Sequence, residues 1–284
     1  MRTILLTGKD GQVGWELQRT LAPLGKVIAF DRQALDLANA DAIRAAIRAV
    51  HPDIIVNAAA YTAVDQAETA SAVAMSVNGE APGIMAEEAR RSGAWLVHYS
   101  TDYVFDGTKG AAYDEGDVAN PLNAYGRSKL AGEQAIQAVG GRYSIFRTSW
   151  VYGLRGKNFL RTILRLAQEK EELRIVVDQI GAPTWSRMIA EATAVILARE
   201  NQTQGLFHLT SSGTTSWHGF SQAILELTRE QRPRDPRLSA IPGSEYPLPA
   251  ARPDNSRLSC ELLAQQTAIR LPDWREALAL CLAQ

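Results

Sequence analysis

Short apolar runs alternate with longer helix-compatible stretches through the first half of the chain, and this alternation restricts the fold more than any other feature. The runs lack strict polar alternation, as is typical of parallel strands covered on both faces. They are Thr3–Leu6, Val27–Phe30, Ile54–Ala59, Trp95–Tyr99 and Tyr143–Phe146. The stretches between them predict helices at Val13–Leu21, Ala40–Val50, Ser71–Arg91 and Ala124–Val139. This order predicts an α/β fold with a doubly wound parallel sheet.

The alternation of predicted strands and helices becomes less regular after about Trp150. The pattern there predicts a helix at Asn158–Gln168, a strand at Arg174–Val177, a helix that follows Ala182-Pro183-Thr184 and ends near Arg199, and a strand at Leu206–Thr210. The later helices are separated by proline-rich loops. We therefore expect one domain at residues 1–150 and a smaller, mostly helical domain at residues 151–284, with segments of the second interleaved with the first.

Three glycines follow the first predicted strand and open the first predicted helix. Gly8, Gly11 and Gly14 enclose Gln12 and Val13 in a Gly-x-x-Gly-x-x-Gly pattern. Glycines allow a tight turn and a close approach of the backbone to a pyrophosphate, and a helix N-terminus offers free N–H groups to an anion. The spacing alone also occurs in ordinary turns, but its position between a strand and a helix favours a Rossmann-like, dinucleotide-binding domain at residues 1–150. Residues 151–284 then form the substrate-binding domain.

An acidic residue stands about 20 positions after the glycines, where such folds bind the adenosine ribose. Asp31 favours NADH there, whereas the adjacent Arg32 suits the 2′-phosphate of NADPH or belongs to a solvated loop. Asp36 and Leu37 are expected near the adenine. The sequence therefore leaves NADPH and NADH as alternatives.

Small residues follow the third predicted strand, at the sheet edge where ligands of open α/β sheets lie. Ala58, Ala59 and Ala60 let a flat cofactor pass close to the backbone, and Tyr61 follows them. Packing of a helix on the sheet explains the same alanines nearly as well. We include these four residues in the predicted cofactor site.

Tyr125 and Lys129 lie four residues apart on a predicted helix, so their side chains project from one face. A nearby ammonium lowers the pKa of a tyrosine and makes it a better proton donor near neutral pH. Thr101, just past another strand, is placed to hydrogen-bond the same oxygen. A Tyr-x-x-x-Lys pair alone is usually a surface pair, but the glycine loop and the Ser-Thr strand end favour a catalytic set.

These motifs together resemble the extended short-chain dehydrogenase/reductases. The likeness is carried by Gly11-Gln12-Val13-Gly14-Trp15-Glu16-Leu17, Asn57-Ala58-Ala59-Ala60-Tyr61-Thr62-Ala63-Val64-Asp65, Ser100-Thr101-Asp102-Tyr103-Val104-Phe105-Asp106-Gly107, Arg147-Thr148-Ser149-Trp150-Val151-Tyr152, Asp178-Gln179-Ile180-Gly181-Ala182-Pro183-Thr184 and Ala251-Arg252-Pro253-Asp254-Asn255-Ser256-Arg257-Leu258. It spans almost the whole chain, and the later segments are more specific than the glycines.

The resemblance implies an oxidoreductase that uses NADPH or NADH to reduce the C4 ketone of dTDP-6-deoxy-L-lyxo-4-hexulose, which gives dTDP-L-rhamnose in the last step of dTDP-rhamnose biosynthesis. It implies that Tyr125 protonates the C4 oxygen, that Lys129 holds the nicotinamide ribose and lowers the tyrosine pKa, and that Thr101 orients the carbonyl. The substrate-binding residues that follow from it are Thr101, Asp102, Val104, Phe105, Tyr125, Trp150, Arg252 and Asn255, with Trp150 in the sugar pocket and Arg252 and Asn255 closing over the nucleotide.

Two other functions stay open on this scaffold. Another nucleotide-sugar epimerase or reductase would need further acid–base residues, and no clear extra pair is present. A non-catalytic dinucleotide-binding regulatory subunit commonly loses the catalytic set, whereas Thr101, Tyr125 and Lys129 are all present.

The resemblance also suggests Mg²⁺ and a metal-assisted dimer, but the sequence departs from that pattern. The helix after Ala182-Pro183-Thr184 begins Trp185-Ser186-Arg187, with a cation where an acidic ligand is wanted. Glu16 and Glu191 alone make a poor Mg²⁺ site. We expect no required metal and a monomer or weak homodimer.

A stretch without acidic residues runs from Gln134 to Gln168 and carries six basic residues: Arg142, Arg147, Arg155, Lys157, Arg161 and Arg165. The last three are spaced by four, which predicts one stripe of a helix. The stripe is either a solvated face or a positive surface for the diphosphate of a sugar nucleotide.

The total charge excludes several classes of partner. With 30 Lys+Arg and 31 Asp+Glu the formal charge is −1, which argues against a nucleic-acid binder and against attraction to an anionic membrane. The start of the chain does not read as a signal peptide, and Cys260 and Cys281 lack metal-ligand spacing. We expect a cytoplasmic protein with reduced thiols.

Overall fold

The computed structural model describes residues 1–199 and 203–283. Its strands are β1 Arg2–Thr7, β2 Gly25–Phe30, β3 Ile54–Asn57, β4 Trp95–Thr101, β5 Tyr143–Thr148, β6 Val151–Tyr152, β7 Glu172–Val176, β8 Ile180–Gly181, β9 Thr184–Trp185, β10 Gly205–His208, β11 Thr215–Ser216 and β12 Arg237–Ile241. Its α-helices are α1 Gln12–Thr20, α2 Ala40–Val50, α3 Val64–Ala67, α4 Ser71–Met75, α5 Ala81–Ser92, α6 Ala124–Val139, α7 Phe159–Glu169, α8 Ser186–Ala198, α9 Trp217–Leu227, α10 Glu261–Thr267 and α11 Trp274–Leu282.

Six parallel strands form the central sheet in the order β10-β5-β4-β3-β1-β2. Strand β1 has β2 on one side and β3 on the other, so the chain winds in opposite directions from this point. Loops that leave the carboxyl ends of β1 and β3 diverge there and open a crevice. The crevice is where the glycine loop and the alanines after β3 lie.

Both faces of the sheet are buried, which explains the continuous apolar runs. On β1, Ile4 and Leu6 face a core that includes residues of α1 and α8, whereas Leu5 faces a second core with residues of α2, α5 and α6. All three side chains are fully buried. Burial of each such side chain contributes about 1.5–3 kcal/mol. The predicted α/β fold with a doubly wound parallel sheet is confirmed.

One element differs from the sequence-based expectation. The single helix predicted at Ser71–Arg91 is interrupted by a π-helical turn at Ser76–Glu80, which separates α4 from α5. The strand predicted at Leu206–Thr210 is β10, and it pairs with β5 at the edge of the main sheet. Helix α8 packs on α1, so two elements after residue 150 belong to the sheet layers.

The remaining C-terminal segments surround a separate core. Helices α7, α9 and α11 contribute to it together with Trp185 of β9, and Phe220 lies at its centre without solvent exposure. Three pairs of short strands, β6 with β9, β7 with β12 and β8 with β11, connect the loops around it. Cys281 is buried in this core, and both cysteines are free thiols. No helix among the described residues has the length and apolar character that a membrane span requires.

Candidate active site

The glycine loop packs directly against the loop that follows β3. Gly8 has a φ of +73°, and a Cβ atom on it would lie 2.7 Å from the backbone nitrogen of Ala59. A Cβ atom on Gly14 would lie 2.0 Å from the Gly8 oxygen. Gly11 donates its N–H to that same oxygen at 2.9 Å and precedes α1. The three glycines therefore bring the N-terminus of α1 against the sheet edge.

A cleft of about 560 Å³ opens over these strand ends. All the residues predicted to bind the cofactor line it except Gly14, which lies beneath Gly8: they are Gly8, Gly11, Gln12, Val13, Asp31, Arg32, Asp36, Leu37, Ala58, Ala59, Ala60, Tyr61, Tyr125 and Lys129. Ser100, Thr148 and Val151 complete the wall at the other end. One continuous cleft thus joins the glycine loop to the predicted catalytic pair.

Asp31 directly follows β2 and has a partner that the sequence did not reveal. Its carboxylate lies 2.8 Å from Lys9 Nζ and also accepts the N–H of Ala34 at 2.8 Å. The hydrogen bond from Lys9 holds the pKa of Asp31 below its ordinary value. Arg32 is exposed beside it. This end of the cleft therefore presents Asp36, the Asp31 carboxylate paired with Lys9, and the exposed Arg32 to a nucleoside.

Helix α6 carries Tyr125 in its first turn. Asn123 caps the helix by accepting the N–H of Gly126 at 2.8 Å, and Glu68 accepts the N–H of Ala124 at 2.7 Å. Gly126 is required because a Cβ atom there would lie 2.1 Å from the Tyr103 oxygen. The helix start is thereby fixed on the turn that follows β4, and Tyr125 is held against the cleft.

Lys129, one turn later, is buried with 1% exposure. Its Nζ donates to the carbonyl oxygen of Tyr99 at 2.6 Å and lies 3.1 Å from His98 Nε2. Burial lowers the pKa of Lys129 to about 8. The lysine is thus directed at the strand beneath it as well as at the cleft.

The expectation that the pKa of Tyr125 lies below its ordinary value is wrong. Burial raises the pKa of Tyr125 above its ordinary value, the negative charge of Asp102 raises it further, and a hydrogen bond with Thr101 opposes both. The lysine is engaged by Tyr99 and His98 instead. Tyr125 is therefore firmly protonated at neutral pH.

The turn after β4 places Thr101 and Asp102 next to Tyr125. Thr101 donates its hydroxyl hydrogen to Asp102 Oδ1 at 3.0 Å and accepts the N–H of Tyr103 at 3.2 Å. Asp102 has 3% exposure, and burial raises its pKa to about 6. The Tyr103 ring meets the Tyr125 ring edge to face at 5.9 Å. Thr101 and Asp102 thus lie beside Tyr125, which lines the cleft, although neither of them lines it.

Comparison with known proteins agrees with this geometry. The model of the RmlD substrate binding domain family matches residues 1–284. The chain belongs to this family. The dTDP-4-dehydrorhamnose reductase of Burkholderia thailandensis is 53% identical over 98% of this chain and 97% of that protein. The Escherichia coli K12 protein of the same name is 47% identical over 96% of this chain and 94% of its own length.

Among solved structures, a dTDP-4-dehydrorhamnose reductase of Bacillus anthracis in complex with NADP superimposes with a TM-score of 0.94. It is 34% identical, and the match covers 99% of each chain. The RmlD family assignment and the reductase fold therefore rest on both sequence and structure.

In this RmlD family member, two residues predicted to bind substrate are core residues. Val104 and Phe105 have 0% and 1% exposure and pack with Tyr113 and Leu258, and the Phe105 ring stacks on Tyr113 at 4.1 Å. Because neither reaches the cleft, their role here is to hold the turn after β4. The sequence signal was a shared segment, which did not separate packing residues from ligand contacts.

The C-terminal loop residues also have structural partners. Arg252 forms two hydrogen bonds with Asp65, at 2.6 and 2.9 Å, and Asn255 donates to the carbonyl oxygens of Lys109 and Ala111 at 2.6 and 2.8 Å. These contacts join the loop to α3 and to the segment after β4. Neither residue lines the cleft.

Trp150 adopts an unusual conformation beside the cleft. It has a φ of +48°, and its ring stacks on Trp217 at 3.5 Å with 6° between the planes. A Cβ atom on Gly181 would lie 2.6 Å from the Trp150 ring. The next residue, Val151, lines the cleft. The sequence did not reveal Trp217 as a partner of this tryptophan.

Two of the three residues of the predicted basic stripe, Arg161 and Arg165, are exposed on α7. Lys157 lines the cleft, but it precedes α7 rather than lying on it. Besides Lys157, the five basic residues of the stretch have separate contacts: Arg142 stacks on Trp95, Arg147 pairs with Glu133, Arg155 stacks on Trp15, Arg161 donates to the Gly156 oxygen and Arg165 pairs with Glu169. Acidic partners outside the stretch neutralise part of what the local count suggested was positive.

The described residues do not fit a magnesium site. Glu16 accepts a hydrogen bond from Arg187 at 3.2 Å, and no group of three metal-ligating side chains occurs within residues 1–199 and 203–283. A guanidinium thus occupies the position that a cation would need.

Proposed function

We propose that this chain is a dTDP-4-dehydrorhamnose reductase, which reduces the C4 ketone of dTDP-6-deoxy-L-lyxo-4-hexulose to dTDP-L-rhamnose with NADPH or NADH. The observation that carries the proposal is the single cleft that Gly8, Gly11, Tyr125 and Lys129 share. The substrate is inferred from the relatives of that name, which are 53% and 47% identical over nearly the full length.

The residues present fit a dinucleotide. Gly8 and Gly11 line the cleft where α1 begins, and the free N–H groups at the start of this helix suit a pyrophosphate. Asp31, Lys9 and Arg32 would hold the adenosine ribose, and Ala58 to Tyr61 would flank the dinucleotide. When bound, the reduced nicotinamide supplies the hydride.

Tyr125 acts as the general acid in this proposal. Its raised pKa keeps the phenol protonated until negative charge develops on the C4 oxygen. As C4 gains a hydride, the carbonyl π bond becomes a C–O single bond and the oxygen takes the phenolic proton, which leaves a phenolate on Tyr125. Acid catalysis of this kind contributes about 10²–10⁴ in rate. Lys129, in the same cleft, stabilises the phenolate by its charge.

Thr101 and Asp102 are assigned to the substrate side of the cleft, beside Tyr125. The hydrogen bond between Thr101 and Tyr125 places the threonine hydroxyl where it can also orient the carbonyl oxygen. Trp150, next to Val151 of the cleft wall, would line the sugar pocket. Arg252 and Asn255 act through the loop that they fix.

The test is loss of reduced-nicotinamide absorbance when the purified protein is mixed with the 4-keto sugar nucleotide and NADPH or NADH. We expect consumption of cofactor and formation of dTDP-L-rhamnose, which chromatography identifies. Cofactor binding without consumption would support a regulatory subunit instead. A product with altered configuration at another carbon would support an epimerase of the same fold.

A monomeric or weakly dimeric state and a cytoplasmic location are part of the same proposal. Light scattering across a concentration series measures the first, and fractionation of cells measures the second.

A further inference from the structure

The Trp150 ring is held on both of its faces. On one face it stacks on the Trp217 ring, with the ring centroids 3.5 Å apart and 6° between the planes. A Cβ atom on Gly181 would lie 2.6 Å from Cε2 of the Trp150 indole and 2.9 Å from each of the ring atoms Nε1 and Cζ2, which are bonded to Cε2. These distances place that position above the ring plane rather than at its edge. Because the stacked ring leaves no space for a backbone on its own side, Gly181 lies against the opposite face. Trp217 and Gly181 thus form a clamp around the indole.

The segment that carries Gly181 also fixes the backbone around Trp150. The N–H of Thr184 donates to the Trp150 carbonyl oxygen at 3.2 Å. One residue earlier in the chain, the Ser149 hydroxyl donates to the carbonyl oxygen of Ala182 at 3.1 Å. The segment from β8 to β9 therefore holds both the ring and the main chain of this tryptophan.

The backbone conformation of Trp150 depends on these contacts. Within residues 1–199 and 203–283, three residues other than glycine have a positive φ. Two of them, His51 and Ala268, directly follow a helix, where the left-handed conformation is ordinary. Trp150 lies between β5 and β6, with a φ of +48°. A side chain there persists in this costly region only where its surroundings leave it no alternative.

The clamp joins the C-terminal core to the wall of the cleft. Thr148 and Val151, on either side of Trp150 in the chain, both line the cleft. Trp217 is the first residue of α9, and its ring packs on Phe159 at 4.4 Å. Trp217 itself does not line the cleft. An effect of Trp217 on a molecule in the cleft therefore passes through Trp150.

We propose that Trp217 is a positioning residue for the binding of the sugar nucleotide. Together with Gly181 it holds Trp150 in the left-handed conformation that places the indole beside the sugar. The inference rests on the proposed function, which assigns Trp150 to the sugar pocket. The glycine loop and Tyr125 lie outside the clamp, so cofactor binding and proton transfer do not depend on it.

Trp217→Leu removes the stacked ring and tests this role by steady-state kinetics. Trp150 should then relax to an ordinary backbone conformation, which the bound substrate has to reverse. We expect the KM for the 4-keto sugar nucleotide to rise roughly five- to thirtyfold, which corresponds to the cost of one left-handed residue. The kcat and the Kd for NADPH should be nearly unchanged. Trp217→Phe, which keeps a ring on Trp150, should recover most of the loss. An unchanged KM in Trp217→Leu would overturn the proposal.

Trp274→Leu is the matched control. Trp274 is the first residue of α11, as Trp217 is of α9, and both border the same C-terminal core. Its ring packs on Phe220 rather than on Trp150. This variant should lose stability to urea but keep the natural KM. An equal rise in KM would show that the core, and not the clamp, is responsible.

A double substitution tests whether Trp217 acts through Trp150. Trp150→Ala should raise the KM by itself, and Trp217→Leu should then raise it no further, because residues that act as one unit are not additive. A second rise of the same size in the double variant would show that Trp217 acts by another route and would overturn the proposal.

The clamp is also measured without substrate, so its failure is separate from failure of the reductase assay. The chain has 6 tryptophans, and the Trp150 indole N–H signal in an ¹⁵N-labelled sample is the one missing from Trp150→Phe. In Trp217→Leu this signal should move more than those of the other remaining tryptophans, because it loses the ring current of its stacked neighbour. In Trp274→Leu it should stay in place. A Trp150 signal that does not move in Trp217→Leu would contradict the proposal.

Discussion

Gly8 and Ala59 lie in backbone contact across the crevice of the sheet, since a Cβ atom on Gly8 would be 2.7 Å from the Ala59 nitrogen. We expect Gly8→Ala to destabilise the fold by about 2 kcal/mol or more, because a left-handed conformation costs about 1–2 kcal/mol and the contact adds to it. Displacement of the loop should also weaken binding of NADPH. Urea unfolding and fluorescence titration measure the two effects.

Gly93→Ala separates conformational strain from contact. Gly93 has a φ of +75°, and no neighbouring atom lies within 4 Å of the position that a Cβ atom would take. This variant should lose only about 1 kcal/mol and bind NADPH normally. Equal losses in the two variants would show that the Gly8–Ala59 contact is unimportant.

Tyr125→Phe should lower kcat by about 10²–10⁴ while leaving the Kd for NADPH nearly unchanged, because only the proton donor is removed. Stopped-flow absorbance and fluorescence titration give the two constants. Tyr99→Phe is the control, since that hydroxyl is engaged by Thr193 at 2.8 Å in the core. Near-normal turnover by Tyr125→Phe would refute the assigned role.

The sheet and most of the cofactor cleft were predictable because their signals are local. Apolar runs such as Thr3–Leu6 indicate burial on both faces, and the glycines and alanines after two strands indicate that a cofactor passes close to the backbone. The partners of buried polar groups were not predictable, since Glu133 and Arg147, or His98 and Lys129, meet only when the strands and α6 are assembled. For the same reason the sequence predicted an ordinary core position for His98 and a ligand contact for Phe105.

Asp31 should influence the choice between NADPH and NADH. Its carboxylate repels the 2′-phosphate of NADPH. It also pairs with Lys9 at 2.8 Å, so this lysine is less available to bind the phosphate. We expect Asp31→Asn to raise the ratio of kcat/KM for NADPH over NADH by roughly three- to tenfold at low salt, with a smaller change at high salt because exposed charges are screened. Steady-state kinetics with both cofactors measures the ratio.

Asp41→Asn is the corresponding control, since this exposed acid lies in the first turn of α2, outside the cleft. It should leave the cofactor ratio unchanged. A ratio that does not move in Asp31→Asn would show that Arg32 or Lys157 sets the preference.

Asp102 should make the fold less stable as the pH rises. Burial raises its pKa from 3.8 to about 6, so the folded state holds a proton that the unfolded state releases. The stability contribution is full below about pH 4 and is lost as the pH rises through about 6. Asp102→Asn keeps an oxygen for the Thr101 hydroxyl without a charge, so it should be more stable than the natural protein by up to about 3 kcal/mol at neutral pH and nearly equal near pH 4.

Asp106→Asn should be less stable than the natural protein at neutral pH. Hydrogen bonds, led by those from Thr108, hold the pKa of Asp106 below its ordinary value, so its carboxylate stabilises the fold and the variant loses this contribution. Urea unfolding of both variants across this pH range measures these differences in stability. If Asp102→Asn is no more stable than the natural protein at neutral pH, burial of the Asp102 carboxylate does not lower the stability of the fold.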